Sequence, residues 1–450
     1  MAVSPARQAA YRILLRVQSG REFAVDLLQG HALDPLSDAD RRLATELVMG
    51  VLRWRGDLDF QIEKLSGRRL RYFDPEIVEI LRLGVYQIRF LSAIPKAAAV
   101  SQAVQMTKAS GKTSAAGLVN AVLRKCERAA FNGLLPGELQ ADGEYVESAR
   151  RSVPAWLCER WERRAGLEKS RALMFSCQVI PRAHLRVKGD AAERESIRRE
   201  LEEAGIQTEP GLYSRRALVV NSGSVRNSRA WGDGRLAFQD EASQLAAELV
   251  SPQPGDRVLD LCAAPGVKTG QLACMLGQGT VVACDRSLRR MRTMRVAALR
   301  NWPGRVRLQR VLLDARQSLP FKMLFDRVLV DAPCSGTGTL ARNPEIKWRL
   351  KPEDLPRLAE MQCEILCHAL DALSASGRLV YATCSLEPEE DEEVVAKVFA
   401  ARPGFRLVGG EELRREFPHI GQLFQPQGYF RTYPGVHPMD GFFAAVIARR

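Results

Sequence analysis

No stretch of this 450-residue chain approaches the roughly 18 apolar residues that a membrane helix needs, so a soluble protein is expected. The N-terminus, Met-Ala-Val-Ser-Pro-Ala-Arg-Gln, lacks the continuous apolar core of a signal peptide, which favours a cytoplasmic location. Ten cysteines are scattered without dense or regular spacing. Cys363 and Cys367 sit at helical spacing with no second pair to complete a zinc site, so reduced thiols and no metal are expected. There is no internal repeat and no low-complexity tract. A monomer without membrane partners is the simplest expectation.

What the chain does have is positive charge, +13 net, unevenly spread. Residues 1–130 hold 20 Lys/Arg against 13 Asp/Glu, residues 151–230 hold 16 against 10, and the C-terminal half is close to neutral. An excess confined to accessory regions suggests a polyanion docking surface, because Lys and Arg neutralise phosphates and release counterions.

The pattern of apolar residues divides the chain into three parts. Within residues 1–130, the segments Arg7 to Gln18, Asp38 to Trp54, Pro75 to Phe90 and Lys96 to Thr107 carry apolar residues at three- and four-residue spacing, which predicts an all-helical bundle. Ser37-Asp38 and Asp74-Pro75 are its expected helix starts. Residues 131–150, rich in Gly, Pro and acids over most of their length, predict a linker. Residues 151–235 mix a helical pattern from Pro154 to Ala165, strands at Ala183 to Val187 and Ala217 to Val219, and a charged helix from Ala191 to Ala204, an α+β module. Across 236–450, short apolar runs alternate with helical stretches, which predicts a parallel sheet covered on both faces. Its strands are expected at Val258 to Leu261, Val281 to Cys284, Val306 to Leu308, Arg327 to Val330, Leu379 to Ala382 and Phe442 to Ile447.

Arg257-Val-Leu-Asp-Leu-Cys-Ala-Ala-Pro-Gly-Val-Lys-Thr269 is a buried strand, a tight loop of small residues and a helix start. That is the layout of a nucleotide site at the carboxyl end of the first strand of a doubly wound sheet. Ala263, Ala264 and Gly266 would let a ligand approach the backbone closely. Lys268-Thr269 evokes a P-loop, but Val267 stands where that motif needs glycine. Asp285 ends the second strand, where a carboxylate can accept from both ribose hydroxyls; Asp314 follows the third and could reach an adenine amino group; Asp331 ends the fourth. Each alone could be a capping aspartate. Together they mark one edge of a sheet as an adenosyl site.

Asp331-Ala-Pro-Cys334-Ser-Gly-Thr-Gly and Tyr381-Ala-Thr-Cys384-Ser bring two thiols to that same edge. Cys262 and Cys284, beside the cofactor loop and Asp285, read as packing residues. Carbon 5 of cytosine is too weak a nucleophile to attack a methyl sulfonium. A thiolate added at carbon 6 makes carbon 5 enamine-like, and covalent catalysis splits one hard step into two easier ones. Asp331 would hydrogen-bond the ring as charge develops there, and the second thiol could help the first to leave. Position alone does not say which thiol attacks.

These motifs, with Asn343-Pro-Glu-Ile-Lys-Trp348, Glu387-Pro-Glu-Glu, Phe238-Gln-Asp-Glu-Ala-Ser and Asp440-Gly-Phe-Phe, resemble those of the NOL1/NOP2/Sun family of RNA cytosine-C5 methyltransferases over the whole C-terminal part. Asp40-Arg-Arg-Leu, Leu83-Gly-Val-Tyr-Gln-Ile and Val119-Asn-Ala-Val-Leu-Arg resemble the RNA-binding NusB family. The pairing implies four segments: a NusB-like RNA-binding domain over 1–130, a linker over 131–150, an RNA-contacting α+β module over 151–235, and a Rossmann-like methyltransferase domain over 236–450. It also implies S-adenosyl-L-methionine as cofactor, RNA as partner, and small-subunit (16S) rRNA as substrate.

In the DNA enzymes the Pro-Cys cysteine attacks, whereas the RNA family uses the Thr-Cys-Ser cysteine. The resemblance therefore implies Cys384 as nucleophile and Cys334 as the release cysteine, with cofactor contacts from Cys262, Ala263, Ala264, Pro265, Gly266, Val267, Lys268, Asp285, Asp314 and Asp331. Two departures stand out: Val267 where the family has a second glycine, and Arg342-Asn-Pro-Glu for Arg-His-Pro-Asp. A tRNA substrate, or an RNA-binding assembly factor on an inactive scaffold, are the alternatives; intact Asp331, Cys334 and Cys384 weigh against the latter. Further RNA contacts are expected from Arg286, Arg289, Arg290, Arg292, Arg295 and Arg300, and from Arg182 to Lys188 and Arg215-Arg216.

Overall fold

The computed structural model describes residues 3–20, 22–129, 143–297 and 302–450. The chain forms two units, Met1–Ile180 with Leu340–Leu350, and Pro181–Thr339 with Lys351–Arg450.

In the first unit, helices Pro5–Gln18, Asp38–Ser66, Pro75–Phe90, Lys96–Ala109 and Ala116–Arg128 enclose a core that includes Leu47, Leu58, Ile80, Leu83 and Leu123. Ser37 caps the second of these through the Asp40 amide (3.2 Å), and Gly67, at φ 68°, ends it in the left-handed region that favours glycine. It runs twelve residues beyond the expected end at Trp54 because Leu58 and Ile62 continue the buried stripe. The intervening acids find partners: Asp59 accepts from Arg82 Nε (2.6 Å), and Asp57 pairs with Arg89 and with Arg151 Nε (2.9 Å). Asp74 makes no side-chain cap; it pairs with Lys112 Nζ at 2.7 Å.

The expected linker needs correcting at its C-terminal end. Residues 131–142 lie outside the described residues, but Gly143–Arg151 is a helix. At its end Arg151 reaches Asp57, and the buried Ser148 Oγ accepts from Arg151 Nη2 at 3.2 Å. The helix Ala155–Ser176 follows, broken at Gly166, and Leu340–Leu350 belongs to this unit as well. In that segment Lys347 Nζ and Trp348 Nε1 donate to the carbonyls of Arg53 (2.9 Å) and Leu52 (3.0 Å), and burial lowers the Lys347 ammonium to about 8.

The second unit holds two sheets. The smaller contains β1 (Ala183–Val187), β2 (Gln207–Pro210), β3 (Ala217–Ser222) and β4 (Leu236–Phe238) in the antiparallel order β2-β3-β1-β4. Asp190 caps its helix Ala191–Glu203 through two amides at 3.0 Å. Because β4 pairs with β1, this sheet extends past residue 235, where the sequence pattern changes.

The larger sheet contains β5 (Arg257–Leu261), β6 (Gly279–Asp285), β7 (Val306–Leu312), β8 (Phe325–Asp331), β9 (Leu373–Thr383), β10 (Phe405–Leu407), β11 (Tyr429–Thr432) and β12 (Phe442–Arg449). Its order is β10-β12-β9-β8-β5-β6-β7, with β11 also on β12. The strands from β9 to β7 are parallel, and β12 joins antiparallel. Helices Glu241–Glu248 and Val267–Leu276 bury Leu245, Leu272 and Leu276 on one face. Asp354–Asp371 and Glu392–Ala401 bury Leu366, Leu370 and Val394 on the other. Such double coverage is why these strands read as apolar runs without alternation.

One buried ion pair fastens this domain. Arg431 Nη1 donates to Asp391 Oδ2 at 2.6 Å, both side chains almost wholly buried, and the other Asp391 oxygen accepts from Thr383 Oγ1 at 2.5 Å. Arg431→Met strands a buried carboxylate, so a loss of about 3–5 kcal/mol is expected in chemical denaturation.

Candidate active site

The parallel order puts β6, β5, β8 and β9 side by side with their carboxyl ends at one edge. After β5, Cys262 (φ 62°) and Gly266 (φ 99°) turn the chain sharply, with a cis peptide between Ala264 and Pro265. Gly266 then caps the helix Val267–Leu276. Asp260 is fully buried and accepts from Thr269 Oγ1 (2.6 Å), which ties strand to helix; burial raises its carboxyl to about 7. Arg186, expected among the RNA contacts, is buried. Its Nε donates to Gln239 Oε1 (2.6 Å) and its Nη2 approaches the Val267 carbonyl (3.5 Å), so it backs the loop and does not face solvent.

Asp285 stands across this loop. One oxygen accepts from the Ala264 amide (3.2 Å) and the other from the Ser287 amide (2.8 Å), which fixes the carboxylate against a solvent-open cavity of about 510 Å³. Cys262, Cys284, Asp314 and Pro333 also border it, and Met361 and Ile365 add an apolar wall that the sequence did not point to. Burial pushes both cysteine thiols up, which suits packing. Asp314 reaches the rim, where Arg316 engages both of its oxygens and pulls its carboxyl to about 2.

The basic helix after Asp285 is Leu288–Ala297. Arg286 and Arg290 line the cavity, and Arg290 donates to the Ala264 carbonyl of the loop. The Arg295 side chain and Arg300 lie outside the described residues.

Beside the cavity, Asp331 lies opposite Ala382 in the β8–β9 register, two residues before Cys384. Lys268 Nζ donates to Asp331 Oδ2 at 2.9 Å. Burial alone would lower this ammonium, but Asp331 and Cys384 outweigh it and hold the proton on. The Sγ atoms of Cys334 and Cys384 are 3.4 Å apart. The hydrogen bond with Cys384, then burial, then the charges of Cys384 and Glu390 push the Cys334 thiol well up. The edge thus offers one sulfur in the field of a cation, a second sulfur that keeps its proton, and a carboxylate held by that cation. Ala263, Ala264, Pro265 and Gly266 are the turn between them and Asp285.

All ten cysteines are free, and among the described residues no group of side chains is arranged to hold a metal ion and no helix is long and apolar enough to cross a membrane.

Residues 247–448 match the family described as 16S rRNA methyltransferase RsmB/F, residues 4–128 the NusB family, and residues 153–226 the ferredoxin-like domain of RsmF/B-like methyltransferases. A probable ribosomal RNA small subunit methyltransferase B from Synechocystis is 33% identical over 99% of both chains. The ribosomal RNA small subunit methyltransferase B of Pseudomonas putida is 34% identical over 98% of both. The crystal structure of PH0851 superposes with a TM-score of 0.81 at 25% identity over 100% of both chains.

Proposed function

Since the chain belongs to the 16S rRNA methyltransferase RsmB/F family, we propose that it transfers the methyl group of S-adenosyl-L-methionine to carbon 5 of a cytidine in small-subunit rRNA, with Cys384 as nucleophile and Cys334 as release cysteine. The observation that carries this reading is the pair of sulfurs 3.4 Å apart beside Asp331 and Lys268. An enzyme that methylated an amino nitrogen would need no thiol there.

The cavity beside Asp285 combines carboxylates with an apolar wall from Met361 and Ile365, a lining that suits an adenosyl group. Asp285 and the turn Cys262 to Val267 would hold the adenosyl part, and Asp314 would face the base if Arg316 yields. When bound, the cofactor supplies an electrophilic methyl sulfonium. The chain's own residues do the rest. Cys384, as the thiolate, adds to carbon 6 of the cytosine and makes carbon 5 nucleophilic. Asp331, with one oxygen engaged by Lys268, would hydrogen-bond the ring at its nitrogen or amino group as charge develops there. After methylation, loss of the carbon-5 proton to a base re-forms the ring double bond and expels the Cys384 sulfur. The closeness of Cys334 supports its part in that release.

The test is incubation with 16S rRNA and labelled cofactor, followed by nucleoside analysis. Label in 5-methylcytidine is expected, and label in another nucleoside, or none, contradicts the reading. Asp285→Asn is expected to weaken cofactor binding about 10- to 100-fold, as loss of charge-assisted hydrogen bonds worth about 1.5–3 kcal/mol implies. Titration calorimetry of the free enzyme checks this without RNA.

A further inference from the structure

We infer that Glu390 is a positioning residue that fixes the approach of the two sulfurs and, through its charge, biases which of them carries the proton; this rests on the reading of Cys334 and Cys384 given above. Glu390 is the last residue of the Glu387-Pro-Glu-Glu motif, in a short helical turn, Pro388–Glu390, and its side chain is completely buried. Its Oε1 accepts from the Ser335 amide (2.8 Å) and from Gln362 Nε2 (3.0 Å). Its Oε2 accepts from the hydroxyls of Ser335 and Ser385, the latter at 2.6 Å. One carboxylate therefore binds the residue after Cys334 and the residue after Cys384.

Four donors reach this carboxylate; burial pushes its carboxyl up, and the hydrogen bonds oppose that. Its own backbone is anchored, since the Glu390 carbonyl accepts from Tyr381 Oη at 2.6 Å. Gln362 also donates to the Pro333 carbonyl (2.9 Å), on the other side of Cys334. The cysteine loops meet a second time where the Gly338 amide donates to the Cys384 carbonyl (2.9 Å). The hydrogen bond with Cys384, burial and the Cys384 charge push the Cys334 thiol up, and the Glu390 charge adds to them in the same direction. The titratable groups facing Cys334 are Cys384, Glu390 and Tyr381, whereas Lys268 faces Cys384. The two sulfurs thus sit in opposite fields, one beside a carboxylate and one beside an ammonium.

Glu390→Gln keeps the shape and removes the charge. Glu390→Asp keeps the charge and shortens the reach. Each variant and the wild type are alkylated with iodoacetamide across a pH series without RNA or cofactor, with Cys334 and Cys384 followed by peptide mass spectrometry. Methyl transfer to 16S rRNA is measured in parallel. In Glu390→Gln the Cys334 midpoint should move down by about one pH unit, because removal of a nearby negative charge favours the thiolate. Its kcat should fall about 10- to 100-fold with KM for RNA within about twofold. Glu390→Asp should lose kcat and leave the Cys334 midpoint in place. Wild-type kcat and midpoint in Glu390→Gln overturn the inference. So does a loss of rate that tracks only the folded fraction in both variants while the midpoint is unmoved. A wild type that forms no Cys384 adduct defeats the reading of the reaction instead, and the alkylation series still decides the role of Glu390.

Discussion

Replacement of Cys384 by alanine is expected to lower methyl transfer to 16S rRNA by about 10,000-fold or more while the protein stays folded and binds cofactor as before. The size of the effect follows from what the thiolate does. Without addition at carbon 6, carbon 5 has no electron pair to offer, and neither Asp331 nor Lys268 can substitute for a covalent bond. Cys384 follows β9 directly and is only partly buried, so loss of its sulfur leaves the strand and the Thr383–Asp391 bond intact. Single-turnover transfer of labelled methyl groups measures the loss, and thermal denaturation separates it from misfolding. A variant that retained more than about one tenth of the rate would remove Cys384 from the role of nucleophile.

Cys334→Ala should also stop turnover, in a different way. Addition and methylation need only Cys384, so the first half of the reaction should proceed and the product should remain attached. The expected result is an enzyme–RNA adduct that survives denaturation and approaches one RNA per enzyme, with methyl label in the trapped species. The 3.4 Å separation of the two sulfurs motivates this, because a group that assists departure has to reach the bond being broken. If the adduct accumulates in Cys384→Ala and not in Cys334→Ala, the two roles are exchanged.

Much of this arrangement was legible in the sequence, for physical reasons that differ from element to element. The central parallel strands β5, β6, β8 and β9 announced themselves because most of their residues are buried, and Asp260, Asp285 and Asp331 closed three of them at one edge. Apart from β7, expected at Val306 to Leu308, the edge and short strands did not. β2 is Gln-Thr-Glu-Pro with little burial, β4 and β10 have three residues each, and β11 is held by its neighbour β12 more than by its own pattern. The continuation of the helix Asp38–Ser66 was hidden by charges that sequence alone assigns to solvent, yet which pair inside the bundle as Asp57 with Arg89 and Asp59 with Arg82.

Within the site, the residue types were readable and their directions were not. Lys268 belongs to the cofactor loop by position, but its ammonium turns to Asp331. Arg186 looks like an RNA contact and is buried behind the loop. Asp314 is occupied by an arginine two residues away. Glu390 lay in a motif that marked the family without naming a role, since only the fold brings Ser335 and Ser385 to the same carboxylate. Long-range pairing of this kind leaves no periodic trace in a chain.

The central claim is that Cys384 forms a bond to the cytosine ring during methyl transfer. Digestion of the adduct trapped in Cys334→Ala with nuclease and protease, followed by tandem mass spectrometry, tests it most directly. The account predicts a methylated cytidine nucleotide attached to the peptide that contains Cys384. Attachment at any other residue, or no attached nucleotide while the wild type makes 5-methylcytidine, would contradict it.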